Sequence, residues 1–200
     1  MEYDRTGFTG STMSKNETRL ASFDPENGLD RGRGRFTEML WYLCKMFFFL
    51  SPFPWPNKMK RTLLVFFGAK VGTGLIIKPR VNIHFPWKLI IGDDVWIGEE
   101  VFILNFEPLS IGSNACISQR AFLCGGNHDY RDPAFKYRNE PIIIGSGVWI
   151  GAFTFTGPGV HIRENCVITA GSVVTSDLPE DMVCSGNPCR PIKGRWKKES

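Results

Sequence analysis

Apolar residues recur along this chain every six positions, a spacing that belongs neither to a helix nor to a simple strand. The stretch Ile144–Pro179 reads IGSGVW, IGAFTF, TGPGVH, IRENCV, ITAGSV, VTSDLP, six hexads end to end. The register extends backwards from Ile111, Ile117 and Leu123, from Ile91, Ile97 and Ile103, and from Val71, Ile77 and Ile83. Of these fifteen phased first positions, fourteen are aliphatic and Thr156 is the exception. The fifth position is mostly small or aliphatic, from Leu75 and Val81 through Ala115 and Ala121 to Cys166 and Ser172. Two inward positions per hexad predict a narrow prism with a packed axis, one short strand and one turn per hexad. Glycine follows the first position at 72, 92, 98, 112, 145, 151 and 157. We read it there as serving turns with unusual backbone angles.

The pattern resembles that of the hexapeptide-repeat acyltransferases, in which three hexads make one triangular coil, and the resemblance implies coils at 71–88, 91–108, 111–128, 144–161 and 162–179. The third hexads of the first three coils are irregular: their fifth positions are Trp87, Glu107 and Asn127, all at one corner of the prism. The excursion 129–143 leaves from that corner, and a long loop on a regular scaffold commonly carries function.

Outside the repeats the pattern changes. Residues 1–34 are polar, with little to bury, and read as mobile or draped over a neighbouring surface. The region 35–70 predicts a helix over 35–50, stopped by Pro52, Pro54 and Pro56, and a second over 58–67. Its apolar run is too short to span a bilayer. It carries six Lys or Arg and one acidic residue. Two readings stand for 35–67: a cap on the open end of the solenoid, or a peripheral contact with an anionic membrane face. Residues 180–200, with SGNPCRPIKGRWKK, form a basic C-terminal segment.

Composition narrows the class. The net charge of +4 is mild and no basic block is interleaved with aromatics, so nucleic acid is not an expected partner. The six cysteines include no CxxC pair and read as reduced thiols of a cytoplasmic protein, and the polar opening of the chain does not read as a signal peptide. The outward aromatics Trp96, Phe102, Phe122, Trp149, Phe153 and Phe155 predict an oligomer, three prisms about a three-fold axis.

The chemistry-bearing residue is His128, in GGNHDY, where the excursion departs. A neutral imidazole there suits a general base that takes a proton from a hydroxyl or amine. Asn105 and Glu107 lie one coil below; with Asn127 and Asp129 beside the histidine, they are candidates for holding an acceptor or orienting the ring. By hexad count His161 stacks one coil above His128.

The hexads, together with PIIIGSGVWIGA and ITAGSVVTSDLPEDMVCSGNPCRPIK, resemble the hexapeptide-repeat acyltransferases. The closing string resembles the galactoside and maltose O-acetyltransferases, and LWYLCK, FFGAKVG and PWKLIIGDDVWIG resemble the colanic-acid and exopolysaccharide branch. The resemblance implies an all-β fold, a left-handed parallel β-helix of about five coils, and His128 as catalytic base. It implies acetyl-CoA as acyl donor, a saccharide acceptor, a homotrimer and no metal. By the same resemblance the backbone at Ala152 and Ala170 would bond the pantetheine arm, Thr175 would lie further along it, and Arg190 and Lys193 would meet the nucleotide phosphates. Where relatives carry Lys or Arg after the threonine, this chain has Ser176. Trp149 would line the donor channel or pack a subunit interface. The expected activity is O-acetylation of a sugar hydroxyl in polysaccharide biosynthesis. N-acetylation of an amino sugar, a zinc β-helix hydratase using His84, His128 and His161, and a non-catalytic scaffold are the alternatives.

Overall fold

A computed structural model describes residues 17–197. Its hexads fold as a parallel β-solenoid of three faces. The first face stacks Lys70–Val71, Leu89–Ile91, Leu109–Ile111, Ile142–Ile144 and His161–Ile162. The second stacks Ile76–Ile77, Trp96–Ile97, Cys116–Ile117, Trp149–Ile150 and Val167–Ile168. The third stacks Asn82–Ile83, Phe102–Leu104, Phe122–Cys124, Phe155–Thr156 and Val173–Val174. Every neighbour within these five-strand stacks is parallel, with hexad first positions in register, Ile97 on Ile117 and Ile117 on Ile150.

The stack runs further than the five coils expected. Leu178 bridges Ile162, and Met182–Gly186 pairs parallel with Val167–Ile168, so a sixth coil begins on two faces. Cys189–Gly194 then turns back antiparallel along Met182–Gly186. Much of 180–200 therefore closes the solenoid. Its proline and basic residues hid a two-stranded ribbon whose partner is the strand before it.

Both inward positions fill the axis. All first positions except the half-buried Val71 are buried, and so are the fifth positions from Leu75 to Ser172 apart from Trp87, Glu107 and Asn127 at the irregular corner. The glycines that follow them need a different account from the one the sequence suggested. The left-handed backbone falls at the fourth hexad position, at Asp94, Glu100, Asn114, Arg120, Phe153, Asn165, Gly147 and Gly171. The second-position glycines instead sit under the next coil. A Cβ on Gly151 would lie 2.5 Å from the Ala170 nitrogen, and one on Gly112 2.5 Å from the Ser146 nitrogen. What these positions demand, Gly157 apart, is close interstrand approach, and only a residue without a side chain permits it.

Two helices, α1 (Arg35–Phe48) and α2 (Asn57–Phe66), cap the first coil. Coil one has no strands beneath it, and its exposed edge would leave backbone groups unpaired. Side chains take the place of the missing coil. The Lys60 ammonium, fully buried, donates to the carbonyls of Ile77 and Lys78 at 3.1 and 3.2 Å. Asn57 Oδ1 accepts from the Ile77 amide, Arg61 donates to the Gly72 and Val71 carbonyls, and Trp41 Nε1 donates to the Ile83 carbonyl. Among the described residues no helix is long and apolar enough to cross a membrane.

Candidate active site

After Phe122–Cys124 the chain leaves the third face and returns on the first at Ile142–Ile144. Its base is pinched shut: the Glu140 amide donates to the Gly125 carbonyl, Arg138 to Asn127, and Asp129 to Lys136. His128 and Tyr137 face each other across this short antiparallel pair.

The His128 ring is held on several sides. It stacks on Phe135 with centroids 4.2 Å apart and on Tyr137 at 4.9 Å, and Phe23 meets it edge-on at 5.3 Å. Its Nδ1 lies 2.7 Å from the Phe135 carbonyl oxygen. A carbonyl can only accept, so Nδ1 carries the hydrogen in the neutral ring and Nε2 keeps its lone pair. The side chain is half-buried.

Beside it opens a cleft of about 460 Å³, with Asn127, Arg138 and Glu140 from the excursion on one side and Phe155, Gly157 and Thr175 from coils four and five on the other. The cleft thus contains an acceptor-type carboxylate and a guanidinium, whose Nε lies 3.4 Å from Glu140 Oε1. Cys124, just below, offers no competing nucleophile: burial raises its thiol pKa, and Sγ donates to the Gly126 carbonyl.

The anticipated residues divide. Asn127 lines the cleft, and its Oδ1 accepts from the His128 amide. Asp129 is turned into the excursion, accepting from the Arg131 amide. Asn105 is fully buried and committed to Phe85, accepting from its amide at 3.0 Å and donating to its carbonyl at 2.6 Å. Both ends of that carboxamide are spent on the turn of the coil below, so Asn105 neither orients the imidazole nor meets an acceptor. Glu107 is half-buried and lies outside the cleft walls. His161 sits over Ile143 on the first face, not over His128, because Ile142–Ile144 re-enters in the row the hexad count gave to the histidine.

On the donor side, Ala152 and Ala170 stand on successive coils, the Ala152 carbonyl accepting from Gly171. Among the described residues the Ala152 and Ala170 amides donate to nothing, which leaves two N–H groups on one ridge. Thr175 lies in the cleft wall, and Arg190 reaches the neighbouring Ser176, Nη1 to Oγ 3.2 Å. Lys193 is exposed on the closing strand. Trp149 is half exposed on the second face, its Nε1 donating to Ser118 Oγ at 2.9 Å. The three histidines are apart: His84 is edge-on to Phe85 and Phe106, His161 lies on the first face, and His128 at the excursion. Among the described residues no three His, Cys, Asp or Glu groups form a cluster that could hold a metal ion.

No sequence pattern marked Phe23, Phe135 or Tyr137 as the frame of the histidine. Nor did any mark Arg138 and Glu140 as cleft walls. The last four lie in the non-periodic excursion, and Phe23 lies about a hundred residues upstream in a polar stretch with no pattern. Residues 17–34 are laid against the excursion, where the Arg19 amide donates to the Pro133 carbonyl, and against coil one, where Trp87 Nε1 donates to the Arg31 carbonyl. The expectation of a mobile 1–34 otherwise concerns residues 1–16, outside those described.

A parallel hexad solenoid with a histidine-bearing excursion beside an open cleft defines a class, the solenoid acyltransferases. Residues 141–176 match the family model described as hexapeptide repeat of succinyl-transferase. A protein named for acetyl transfer in colanic acid biosynthesis, WcaF of Escherichia coli (strain K12), is 35% identical over 183 residues, 90% of this chain and 98% of its own. The galactoside O-acetyltransferase of Escherichia coli (strain K12) is 32% identical over 152 residues, 74% of each chain. Among solved structures, a galactoside acetyltransferase in complex with coenzyme A superposes with TM-score 0.71 at 28% identity, covering 80% of this chain and 81% of that one. A hexapeptide-repeat acetyltransferase of Vibrio cholerae complexed with acetyl-CoA shares the fold with TM-score 0.73 at 23% identity, covering 81% and 88%. The chain belongs to the hexapeptide-repeat acetyltransferase family, and its solenoid matches the left-handed β-helix of those enzymes.

Proposed function

We propose that this acetyltransferase moves the acetyl group of acetyl-CoA onto a sugar hydroxyl of a surface-polysaccharide precursor in the cytoplasm, with His128 as general base. The observation that carries the reading is the His128–Phe135 hydrogen bond, which leaves Nε2 as the basic nitrogen of the residue that follows Asn127 of the cleft wall. Nε2 takes the proton of the acceptor hydroxyl as its oxygen attacks the thioester carbonyl. The tetrahedral adduct collapses by breaking the carbon–sulfur bond, and the imidazolium returns the proton to the departing sulfur. The free Ala152 and Ala170 amides suit a donor whose pantetheine amides need hydrogen-bond partners, and Arg190 and Lys193 suit its phosphates. Similarity to WcaF supports a polysaccharide setting and similarity to galactoside O-acetyltransferase supports a hydroxyl acceptor.

We further infer a homotrimer. Trp96, Trp149 and Phe153 are 57%, 51% and 61% exposed on the outer faces, more aromatic surface than a lone prism keeps in water. Phe102, Phe122 and Phe155 are half-buried along the third face, Phe102 stacked on Phe122 and Phe155 edge-on to it, and add less to that argument than expected.

The deciding experiment is thiol release from acetyl-CoA across a panel of glycans, nucleotide sugars and amino sugars, followed by mass spectrometry of the product. An ester on a sugar hydroxyl is the expected product. An amide on an amino sugar would replace this reading by N-acetylation, and no turnover on any saccharide would overturn both. Light scattering of the same preparation is expected to give the mass of three chains.

A further inference from the structure

Helix α1 is apolar on the side that faces away from the protein. Phe36, Met39, Leu40, Leu43, Met46 and Phe47 are 40–69% exposed. At 3.6 residues per turn they form one continuous stripe along the helix. The polarity is the reverse of an ordinary surface helix. The charges of its interior, Glu38 and Lys45, lie off the stripe: Lys45 is buried, and Glu38 is paired with Arg31 at 2.7 Å. Beyond α1, Phe53 at 55% and Phe66 at 79% enlarge the apolar surface of the same cap.

The exposed, unpaired charges of the cap and its flanks, Arg33 to Lys70, are of one sign. Arg33, Lys58 and Lys70 are exposed and form no ion pair among the described residues, while Arg35 is paired with Glu26. Between residues 35 and 70 the one carboxylate is Glu38, already paired. A second copy set face to face on the stripe would bring the unpaired cations together, and Glu26, the exposed carboxylate at the start of α1, is already held by Arg35. An anionic lipid surface answers both features, taking the apolar side chains among its acyl chains and the cations at its headgroups.

We propose that α1 and its flanking cations dock the protein on an anionic membrane surface, with α1 lying in the interface. Helices α1 and α2 close coil one while the cleft is built by coils three to five. At a strand spacing of about 4.8 Å per coil the cleft then stands roughly 10–20 Å above coil one, and the helical cap, about 10 Å thick, adds to its height above the docking surface. That height suits an acceptor saccharide presented from the membrane. The proposal is independent of which hydroxyl or amine is acetylated.

The test is cosedimentation of the full chain with vesicles of phosphatidylcholine alone and of phosphatidylcholine mixed with phosphatidylglycerol. Binding to the mixed vesicles is expected, weaker with phosphatidylcholine alone and weakened by salt. Met39→Glu, Leu43→Glu and Phe47→Glu combined is expected to abolish it, with circular dichroism and acetyl-CoA turnover on a soluble acceptor unchanged. Lys58→Glu with Lys70→Glu is expected to lower the partition on mixed vesicles by about fivefold or more per residue. The proposal is overturned if the wild-type chain does not sediment with anionic vesicles, or if the triple variant sediments as well as wild type. It is equally overturned if the triple variant changes the oligomeric state and leaves lipid binding as it was, because the stripe would then be covered by another copy.

Discussion

The Nδ1–H of His128 is held on the carbonyl oxygen of Phe135, seven residues along the same excursion, at 2.7 Å. The imidazole is thereby oriented by the loop it opens. His128→Ala is expected to lower kcat by ~10²–10⁴, the range for a lost proton acceptor, with acetyl-CoA KM unchanged. The solenoid axis is untouched, so the fold should be retained, with a modest fall in thermal stability from the ring's lost contacts with Phe23, Phe135 and Tyr137. The role fails if the variant retains near wild-type turnover on its acceptor.

Phe23 covers the same ring from the N-terminal segment and also meets Tyr137, centroids 5.1 Å apart. Such aromatic contacts are worth about 0.5–1.5 kcal/mol each. Phe23→Ala is expected to shift kcat/KM for the saccharide about 2–10-fold downward while the acetyl-CoA KM stays fixed. Equal changes in both substrates' KM would place Phe23 outside the acceptor site.

On the donor side, Arg190 meets Ser176 at the rim of the cleft and Lys193 follows on the closing strand. Replacing both by Ala is expected to raise the acetyl-CoA KM with little change in kcat, because phosphate contacts bind ground and transition states alike. Steady-state kinetics with dephospho-CoA thioester as a second donor would show whether the loss follows the phosphates. An unchanged KM in the double variant sinks the assignment.

Gly151 and Gly157 make a controlled pair. A Cβ on Gly151 meets backbone at 2.5 Å, whereas on Gly157 its nearest neighbour is the Val174 oxygen at 3.4 Å. Gly151→Ala is expected to destabilise by about 1–3 kcal/mol, and Gly157→Ala by much less. Chemical denaturation of the two variants compares them directly, and similar losses would refute the close-approach account.

His84 gives the molecule a pH dependence. Burial, and after it the nearby Lys45 charge, pushes its pKa down to about 4 from the ordinary 6.5. Between those values the unfolded chain holds a proton that the folded chain does not. Stability from this group is therefore complete above about pH 6.5 and is lost as pH falls towards 4, a term on the order of 3 kcal/mol. Urea midpoints measured across that window should fall with pH in the wild type and flatten in His84→Gln.

The axis of the solenoid was legible because its period repeats and because each inward position is satisfied by size alone. Ile97, Ile117 and Ile150 announce one another along the chain. The candidate base was legible for the opposite reason, as the histidine where the period breaks. What surrounds it was not: Phe23 and Tyr137 come from segments without any repeat, and only the folded chain brings them to one ring. Asn105 misled because a polar side chain at an irregular corner looks available until its partner, the Phe85 backbone twenty residues earlier, is known. The glycines misled in the same way, since the sequence gives their place in the hexad but not the coil above them.

The excursion departs and returns without disturbing the stack. Gly125 is still bonded to Leu104 as it leaves, Glu140 closes on Gly125, and Ile142–Ile144 takes its place on Leu109–Ile111. The number of residues between those anchor points is thus decoupled from the register of the frame. A segment of other length or composition can occupy that gap and leave the inward positions where they are. Frame and insert can therefore diverge separately, the frame under the constraint of packing and the insert under that of the molecule it must recognise.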